Sequence, residues 1–330
     1  MIMNYEKAKE EFEKLFNHKM SDEEMKEFLL SLKLDETTPV EVIAAGADVM
    51  KTHSIKLPVS NELKDKTIDI VGTGGDKIGS FNISTTTSII CAAAGSYVAK
   101  HGNRSITSKS GSADVLEVLG IKLGLEPEEN AKLLEETGWC FMFAQKHHPA
   151  MKFIMPIRKS IDEKTVFNIL GPLTNPADVK KSLLGVFSKE FVPKMAEAMK
   201  LNGAKNVMVV SSEEGMDEIS ISGITYATHL KDGQMKELII DPSEYGIRKN
   251  LLSSIKGGDA QKNGSIIMDI LEGYASDAQR DVVVLNAGVA LYVDGMADDI
   301  QQGIEMARDT LEFGIAREKL LQIAEISSKL

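Results

Sequence analysis

The feature that most constrains the fold is an alternation of short β-branched runs with amphipathic segments, which starts near Thr67 and continues to the end of the chain. The runs predict strands at 67–71, 97–99, 139–144, 182–187, 206–211, 224–229 and 235–240. Apolar residues at helical spacing predict helices at 84–94, 112–119, 127–136, 190–201, 260–271, 277–291 and 297–313. Helices between consecutive strands indicate an α/β fold with a mostly parallel central sheet flanked by helices. The turn sequence at 231–233 predicts an antiparallel hairpin at one edge.

Two stretches lack any strand signal. Residues 1–60 carry helical patterns only, among them a capping box at Ser21 and Glu24 and an expected N-cap at Thr38 with Pro39 in the first helical position. Residues 149–172 also have a helical pattern. We therefore expect a small all-helical domain made of 1–64 together with about 148–179. The larger α/β domain would comprise 65–147 together with 180–330.

Charge and cysteine usage exclude several classes of protein. The 38 basic and 49 acidic side chains give a net charge of −11, which argues against a general binder of nucleic acid but leaves room for a local anion pocket. Cys91 and Cys140 share no metal-binding spacing, so neither a disulfide framework nor a cysteine zinc site is expected. The N-terminus has no apolar signal region and no stretch reaches the ~18 apolar residues of a membrane span. We expect a cytoplasmic protein with no membrane partner.

A glycine-rich loop, Gly-Thr-Gly-Gly-Asp at 72–76, directly follows the first predicted strand. It is not a Walker loop, and Lys77 occupies the third glycine position of the dinucleotide fingerprint. Such a loop beyond the carboxyl end of a strand lets the backbone approach an anion closely. A plain strand-to-helix turn is the alternative, which the loop alone does not exclude.

Two further polar segments follow in sequence. Asn-Ile-Ser-Thr-Thr-Thr at 82–87 begins a predicted buried helix, where hydroxyls and free N–H groups suit an anion, although Ser84 or Thr85 could be a simple N-cap. Lys-His-Gly-Asn-Arg at 100–104 comes after the second strand and precedes several hydroxyl residues. Cations, a glycine and hydroxyls at a strand end suit a phosphorylated sugar, and a solvated basic loop is the alternative.

Seven motifs together are similar to those of the anthranilate phosphoribosyltransferase family, in order and in spacing. They lie at 72–76, 82–85, 100–104, 110–114, 148–152, 167–176 and 215–218, so the resemblance covers essentially the whole chain. It implies transfer of the phosphoribosyl group of 5-phosphoribosyl 1-pyrophosphate (PRPP) to the amine of anthranilate. The products would be N-(5-phosphoribosyl)anthranilate and pyrophosphate, in the second step from chorismate to tryptophan. It also implies a homodimer formed through the helical part.

The resemblance assigns site residues as well. Those expected to contact PRPP are Gly72, Gly75, Asp76, Ser80, Asn82, Ile83, Ser84, Thr85, Lys100, His101, Gly102, Asn103, Arg104, Ser105, Ile106, Thr107, Ser108 and Ser112. Those expected to contact anthranilate are Gly72, Asn103 and Arg158, and those expected to hold two Mg²⁺ per monomer are Ser84, Asp217 and Glu218. Without the resemblance, a solvated acidic loop would be the favoured interpretation of 217–218. No catalytic nucleophile or dyad is expected, because an aromatic amine is neutral at pH 7 and positioning and electrostatics suffice.

The chain departs from the family pattern at two places. Ile-Asp-Glu-Lys-Thr stands at 161–165 where the family commonly has Leu-Gly-x-Arg-Thr, and Gln145 replaces a common proline. One alternative activity is a pyrimidine nucleoside phosphorylase, which shares the fold and a related Lys-His loop. Another is a non-catalytic relative that binds nucleic acid, which the net charge opposes. Any link to anthranilate synthase would be through a separate chain.

Overall fold

The computed structural model describes residues 3–105 and 109–330. These residues form a seven-stranded sheet in the order β3-β2-β1-β4-β5-β6-β7. The strands are β1 Thr67–Gly72, β2 Tyr97–Gly102, β3 Trp139–Phe143, β4 Lys181–Gly185, β5 Asn206–Ser212, β6 Thr225–Lys231 and β7 Gln234–Ile240. The pairings from β3 through β5 are parallel, while β6 and β7 are antiparallel. The mostly parallel sheet and the edge hairpin are therefore confirmed, and the hairpin turns through two left-handed residues, Asp232 (φ 50°) and Gly233 (φ 78°).

The helices in the described ranges agree with most of the predictions. They are α1 Tyr5–Phe16, α2 Asp22–Ser31, α3 Val40–Thr52, α4 Asn61–Lys66, α5 Ile83–Ala93, α6 Ser112–Val118, α7 Pro127–Thr137, α8 Ala144–His147, α9 Met151–Lys159, α10 Phe167–Leu170, α11 Val192–Leu201, α12 Ala260–Glu272, α13 Asp277–Asp294, α14 Ile300–Glu312 and α15 Ile315–Lys329. The capping box of Ser21 and Glu24 is confirmed. The last helix, α15, was not predicted. None of the described helices is long and apolar enough to cross a membrane.

The predicted cap at Thr38 is wrong. The α3 helix begins at Val40, and its flanking residue is Pro39, which has no side-chain acceptor. The Thr38 hydroxyl instead closes the preceding turn, where it accepts the N–H of Asp35 at 3.0 Å and donates to the carbonyl of Lys33 at 3.2 Å. A hydroxyl used in this turn is not available to the first N–H groups of the helix.

Both faces of the sheet are buried under helices. Successive strand residues point to opposite sides of the sheet and so enter different cores. Leu183 joins the core formed with α5 and α13, whereas Leu184 joins a second core formed with α11 and α3. Runs of apolar residues in the parallel strands, rather than strict alternation, reflect this double burial.

The helical part of the molecule combines two distant stretches of chain. Phe12 and Ile43 in α1 and α3 pack in one apolar cluster with Ile154 in α9 and Leu170 in α10. The same cluster continues to Val209 in β5. The helices of both stretches therefore share a core with one face of the sheet.

The strand order reverses at β1, which has β2 on one side and β4 on the other. The β1–β4 pairing runs to Gly72 opposite Gly185, whereas the β1–β2 register ends at Ile68 opposite Val98. The backbone ladder of β1 thus stops short of its carboxyl end on the β2 side only. Open α/β sheets bind their ligands at such a reversal, and the predicted polar segments leave the sheet here.

Candidate active site

Two strand-ending glycines make room for an acidic residue at the strand-order reversal. A Cβ atom added to Gly72 would lie 2.2 Å from Oδ2 of Asp217, and one added to Gly185 would lie 1.6 Å from the Asp217 carbonyl oxygen. The same Oδ2 accepts the N–H of Gly74 at 2.6 Å. Gly185 was not predicted as a site residue, although a glycine that ends an apolar strand is a known signal of close approach by another group.

A second carboxylate, that of Glu218, contacts the start of α5 beside Asp217. Oε1 of Glu218 accepts the backbone N–H of Ser84 at 3.0 Å. The Ser84 hydroxyl lies 3.2 Å from Nζ of Lys100, which also donates to the carbonyl of Ile70 at 2.5 Å. The structure therefore brings together four predicted site residues from three separate segments: Ser84, Lys100, Asp217 and Glu218.

The electrostatics of this cluster favour a cation. Burial raises the pKa of Asp217, and the nearby charge of Asp76 raises it further. Burial and the charge of Asp217 likewise raise the pKa of Glu218, while burial lowers that of Lys100 against the pull of the carboxylates. Two repelling carboxylates become more stable when a divalent ion lies between them.

The donor set fits Mg²⁺ in particular. The side chains of Ser84, Asp217 and Glu218 offer only hard oxygen atoms. The described residues contain no group of three or more His, Cys, Asp and Glu side chains arranged to hold a metal ion by themselves. Mg²⁺ commonly uses one or two carboxylates and completes its shell with water and substrate phosphates. The cluster therefore suits an ion that arrives with a phosphorylated substrate.

The glycine loop beside the cluster is open. Gly74 and Gly75 have left-handed backbone angles (φ 67° and 76°), and a Cβ added to either would meet no described atom within 4 Å. Lys77 shares the left-handed conformation (φ 61°). Asp76 caps the loop internally, because its Oδ1 accepts the N–H of Ile78 at 3.1 Å. The loop thus presents free space next to the carboxylates.

Two other predicted site residues near α5, Ser80 and Asn82, contact residues that the sequence did not indicate. Oδ1 of Asn82 accepts from Nδ2 of Asn263 at 2.8 Å, and Ser80 forms an isolated β-bridge with Lys256. The side chains of Ile83 and Thr85 are buried, and the Thr85 hydroxyl has no hydrogen-bond partner within the described residues.

The end of β2 places its basic segment next to α6. Gly102 lies against Ser112, whose Cβ would be 3.3 Å from a Cβ added to the glycine. The Arg104 guanidinium pairs with Asp114 at 2.9 Å and with both oxygens of Glu117 at 2.7 and 2.8 Å. It is therefore engaged by α6 rather than by the acidic pair. The N–H of Ser105 donates to Asp114, and the predicted residues Ile106, Thr107 and Ser108 lie outside the described residues.

The predicted acceptor residues lie on different elements. Arg158 in α9 is half-buried, its guanidinium lies 4.0 Å from the Met155 sulfur and 6.0 Å from the Phe167 ring centroid, and it forms no ion pair with the described parts of the chain. Burial lowers the pKa of Arg158. Just after β2, Oδ1 of Asn103 accepts the N–H of Arg104 at 2.8 Å and lies 3.5 Å from Nε2 of Gln145. A half-buried guanidinium without a carboxylate is suited to binding an anionic ligand.

Together, the fold and the oxygen-lined cluster at the strand-order reversal are those of a glycosyltransferase that acts on a phosphorylated donor. Residues 64–317 match the family model described as glycosyl transferase family, a/b domain. The anthranilate phosphoribosyltransferase of Methylobacillus flagellatus is 44% identical over 300 residues, which cover 91% of this chain and 87% of the relative. That of Azorhizobium caulinodans is 40% identical over 330 residues, covering 99% and 94%.

Solved structures agree with these relatives. The crystal structure of anthranilate phosphoribosyltransferase from Thermus thermophilus superposes with a TM-score of 0.91 at 35% identity, over 99% of this chain and 97% of that one. The Saccharomyces cerevisiae enzyme in complex with PRPP and Mg gives a TM-score of 0.88 at 27% identity, over 99% and 94%. The chain belongs to the anthranilate phosphoribosyltransferase family, which confirms the resemblance found in the sequence.

Proposed function

We propose that this chain transfers the phosphoribosyl group of PRPP to the amine of anthranilate, releasing pyrophosphate, in the tryptophan pathway. The observation that carries the proposal is the meeting of Ser84, Lys100, Asp217 and Glu218 beside an open glycine loop. Relatives named for this activity at 40–44% identity support it, as do the yeast structures with PRPP and Mg and with 4-fluoroanthranilate. They favour transfer over pyrimidine nucleoside phosphorolysis and over a non-catalytic role.

Loss of anthranilate fluorescence on mixing the protein with PRPP and Mg²⁺ tests the proposal directly. Omission of PRPP is the control, and the fluorescence should then stay constant. A parallel assay with a pyrimidine nucleoside and inorganic phosphate should show no free base. Phosphorolysis without anthranilate consumption would replace the proposed activity with the phosphorylase alternative.

On the donor side, Lys100 and the N–H groups of the glycine loop would face the pyrophosphate. Ser84, Asp217 and Glu218 would hold Mg²⁺, with two ions per monomer, and bound Mg²⁺ would neutralise charge on the leaving group. The Lys100 ammonium is buried, so its charge acts in a medium of low polarity and is little screened. As the bond at C1 breaks, positive charge develops on the sugar, and fixed donors around the pyrophosphate stabilise the negative charge that departs.

On the acceptor side, Arg158 would pair with the carboxylate of anthranilate, with Asn103 and Gly72 as further contacts. The aniline nitrogen is neutral and carries its own lone pair, so attack needs no strong base. The protein would hold this nitrogen on the face of C1 opposite the pyrophosphate, which predicts inversion at C1. No residue is assigned as a covalent nucleophile.

The assembly proposal concerns the helical domain, residues 1–64 together with about 148–179. Leu30 in α2 and Phe153 in α9 are 41% and 57% exposed, and these two helices are in contact. Exposed apolar side chains on two adjoining helices support a homodimer formed there. A dimer is expected by sedimentation at micromolar concentration, and Leu30→Glu with Phe153→Glu should give a monomer. A wild-type monomer would contradict the proposal.

Cellular context completes the proposal. Cys91 and Cys140 are buried free thiols, which supports a reducing, cytoplasmic location. A separate anthranilate synthase chain is the partner to test by co-sedimentation.

A further inference from the structure

Asp69 is a buried acid that the proposed mechanism does not use. It is the third residue of β1 and has no exposed surface. The β1–β2 register ends one residue earlier, at Ile68 opposite Val98, although both strands continue to Gly72 and Gly102. Asp69 is thus the first β1 residue after the paired register with β2 ends.

The Asp69 carboxylate takes the place of a backbone acceptor. Its Oδ1 accepts the N–H of His101 at 3.2 Å, a contact that a carbonyl of β1 would make if the ladder continued. Its Oδ2 is buried and has no hydrogen-bond partner within the described residues. Burial raises the pKa of Asp69 to about 6, although the Asn175 side chain and the Lys100 charge act in the opposite direction.

The same stretch of β2 is held by a second side chain. Nδ2 of Asn175 donates to the carbonyl of Ala99 at 2.9 Å, so the residues on both sides of Lys100 are held by side chains on the β1 side of the strand. Lys100 itself reaches Ile70 and Ser84 from between them. The position of Lys100, and of Asn103 two residues after His101, therefore depends on how the backbone of 99–101 is fixed.

We propose that Asp69 is a positioning residue for substrate binding, which acts by fixing the His101 backbone and thereby Lys100 and Asn103. The inference rests on the proposed roles of Lys100 and Asn103 in donor and acceptor binding. The feature tested is the hydrogen bond to the backbone N–H of His101. Burial lowers the pKa of Lys100 and the Asp69 charge opposes this, a second effect that is lost in both Asp69→Asn and Asp69→Ala. An asparagine at this position keeps an oxygen that can accept the same bond, whereas an alanine does not.

The test compares Asp69→Ala and Asp69→Asn with a matched buried acid. Asp294 is 7% exposed and accepts from Nζ of Lys181 at 2.9 Å, where β4 begins, at the opposite end of the sheet from the site. Asp69→Ala should raise the KM for PRPP and for anthranilate about tenfold, and Asp69→Asn should stay within about threefold of the wild type. Asp294→Ala should lower Tm but leave both KM values within about twofold.

Hydrogen exchange supplies a readout that does not depend on activity. The His101 amide should be protected in the wild type and in Asp69→Asn, and should exchange faster in Asp69→Ala than the other β2 amides. A freely exchanging His101 amide in the wild type would overturn the proposal, and so would faster exchange in Asp69→Ala with unchanged KM values. Equal KM increases in Asp294→Ala would make Asp69 merely structural. If Asp69→Ala does not fold, Asp69→Ser, whose hydroxyl is one atom too short, replaces it with the same expectations.

A failure of this inference leaves the transferase proposal intact, because wild-type anthranilate consumption is measured separately. Conversely, absence of transferase activity in the wild type would overturn the proposed function, whatever the exchange data show.

Discussion

Replacing Gly185 by alanine should disrupt the acidic pair without altering either carboxylate. The added Cβ would lie 1.6 Å from the carbonyl oxygen of Asp217, 2.4 Å from its carbonyl carbon and 3.1 Å from its Cα. Cβ contacts below 3.0 Å essentially do not occur, so the Asp217 backbone must move away by about 1.4 Å. The neighbour is backbone rather than a flexible side chain, and no rotamer change relieves the overlap.

A movement of this size should have a large effect on turnover. It would break the 2.6 Å hydrogen bond between Oδ2 of Asp217 and the N–H of Gly74 and displace the proposed metal-binding oxygens. Misplacement of a reacting group by about 1 Å costs on the order of a hundredfold in rate. We expect kcat/KM for Gly185→Ala to fall at least about a hundredfold, with a higher Mg²⁺ concentration needed for half-maximal rate. Initial rates of anthranilate fluorescence loss across a Mg²⁺ titration measure both.

Gly303→Ala is the matched control. Its Cβ would lie 2.2 Å from the carbonyl oxygen of Gly288, at the crossing of α13 and α14. The overlap is similar but does not involve the acidic pair directly; it is linked to the pair only through α13, where Asn286 hydrogen-bonds the backbone of Ile219. Tm should therefore fall, while kcat/KM below the melting range should fall much less than in Gly185→Ala. Wild-type rates for Gly185→Ala at the wild-type Mg²⁺ concentration would refute the reasoning, and so would equal losses in both variants.

Three further outcomes are expected. Arg158→Ala should raise the KM for anthranilate about ten- to a hundredfold, the equivalent of roughly 1.5–3 kcal/mol, with little change in Tm or in the KM for PRPP. Steady-state kinetics with both substrates measure this, and equal rises in the two KM values would place Arg158 outside the acceptor site. Asp217→Asn combined with Glu218→Gln should abolish most turnover while leaving Tm unchanged or higher, because two repelling buried acids are removed; full activity in EDTA would contradict this. Because their pKa values are raised on folding, the metal-free protein should lose stability as pH rises from their ordinary values of 3.8 and 4.5 through the raised ones. Mg²⁺ should therefore increase Tm more at pH 8 than at pH 6 in thermal melts, and an equal increase at both would show that the acids do not bind it.

Local patterns were sufficient to predict the sheet. The strand predicted at 206–211 is Asn206–Ser212, and the turn at 231–233 was placed correctly, because β-branched runs and turn residues act over a few positions. The helix α15 lies beyond the last predicted element, although Ala316, Leu320 and Ile323 have helical spacing. Local patterns do not determine the hydrogen-bond partner of the Thr38 hydroxyl. Whether it caps the helix or closes the preceding turn depends on the conformation of that turn.

The sequence motifs predict the site residues but not the side chains that hydrogen-bond to them. The sequence indicates Asn82 and Arg104, yet their partners Asn263 and Glu117 have no distinguishing pattern. Asn82 and Asn263 are 181 residues apart, and only the path of the chain brings them together. Periodicity specifies which face of an element is buried, but it does not specify which distant side chains that face contacts.

The apolar cluster that unites the N-terminal helices with α9 and α10 also sets an order for folding during synthesis. The faces of α1 and α3 that pack on α9 and α10 cannot be covered until Leu170 has been made, 118 residues after α3 ends. At about 5–20 residues per second, these faces stay uncovered for roughly 5–25 s. The sheet strands that complete the cluster come later still, with Val209 in β5. Nascent chains shorter than this should therefore be the species most prone to aggregate and most dependent on chaperones.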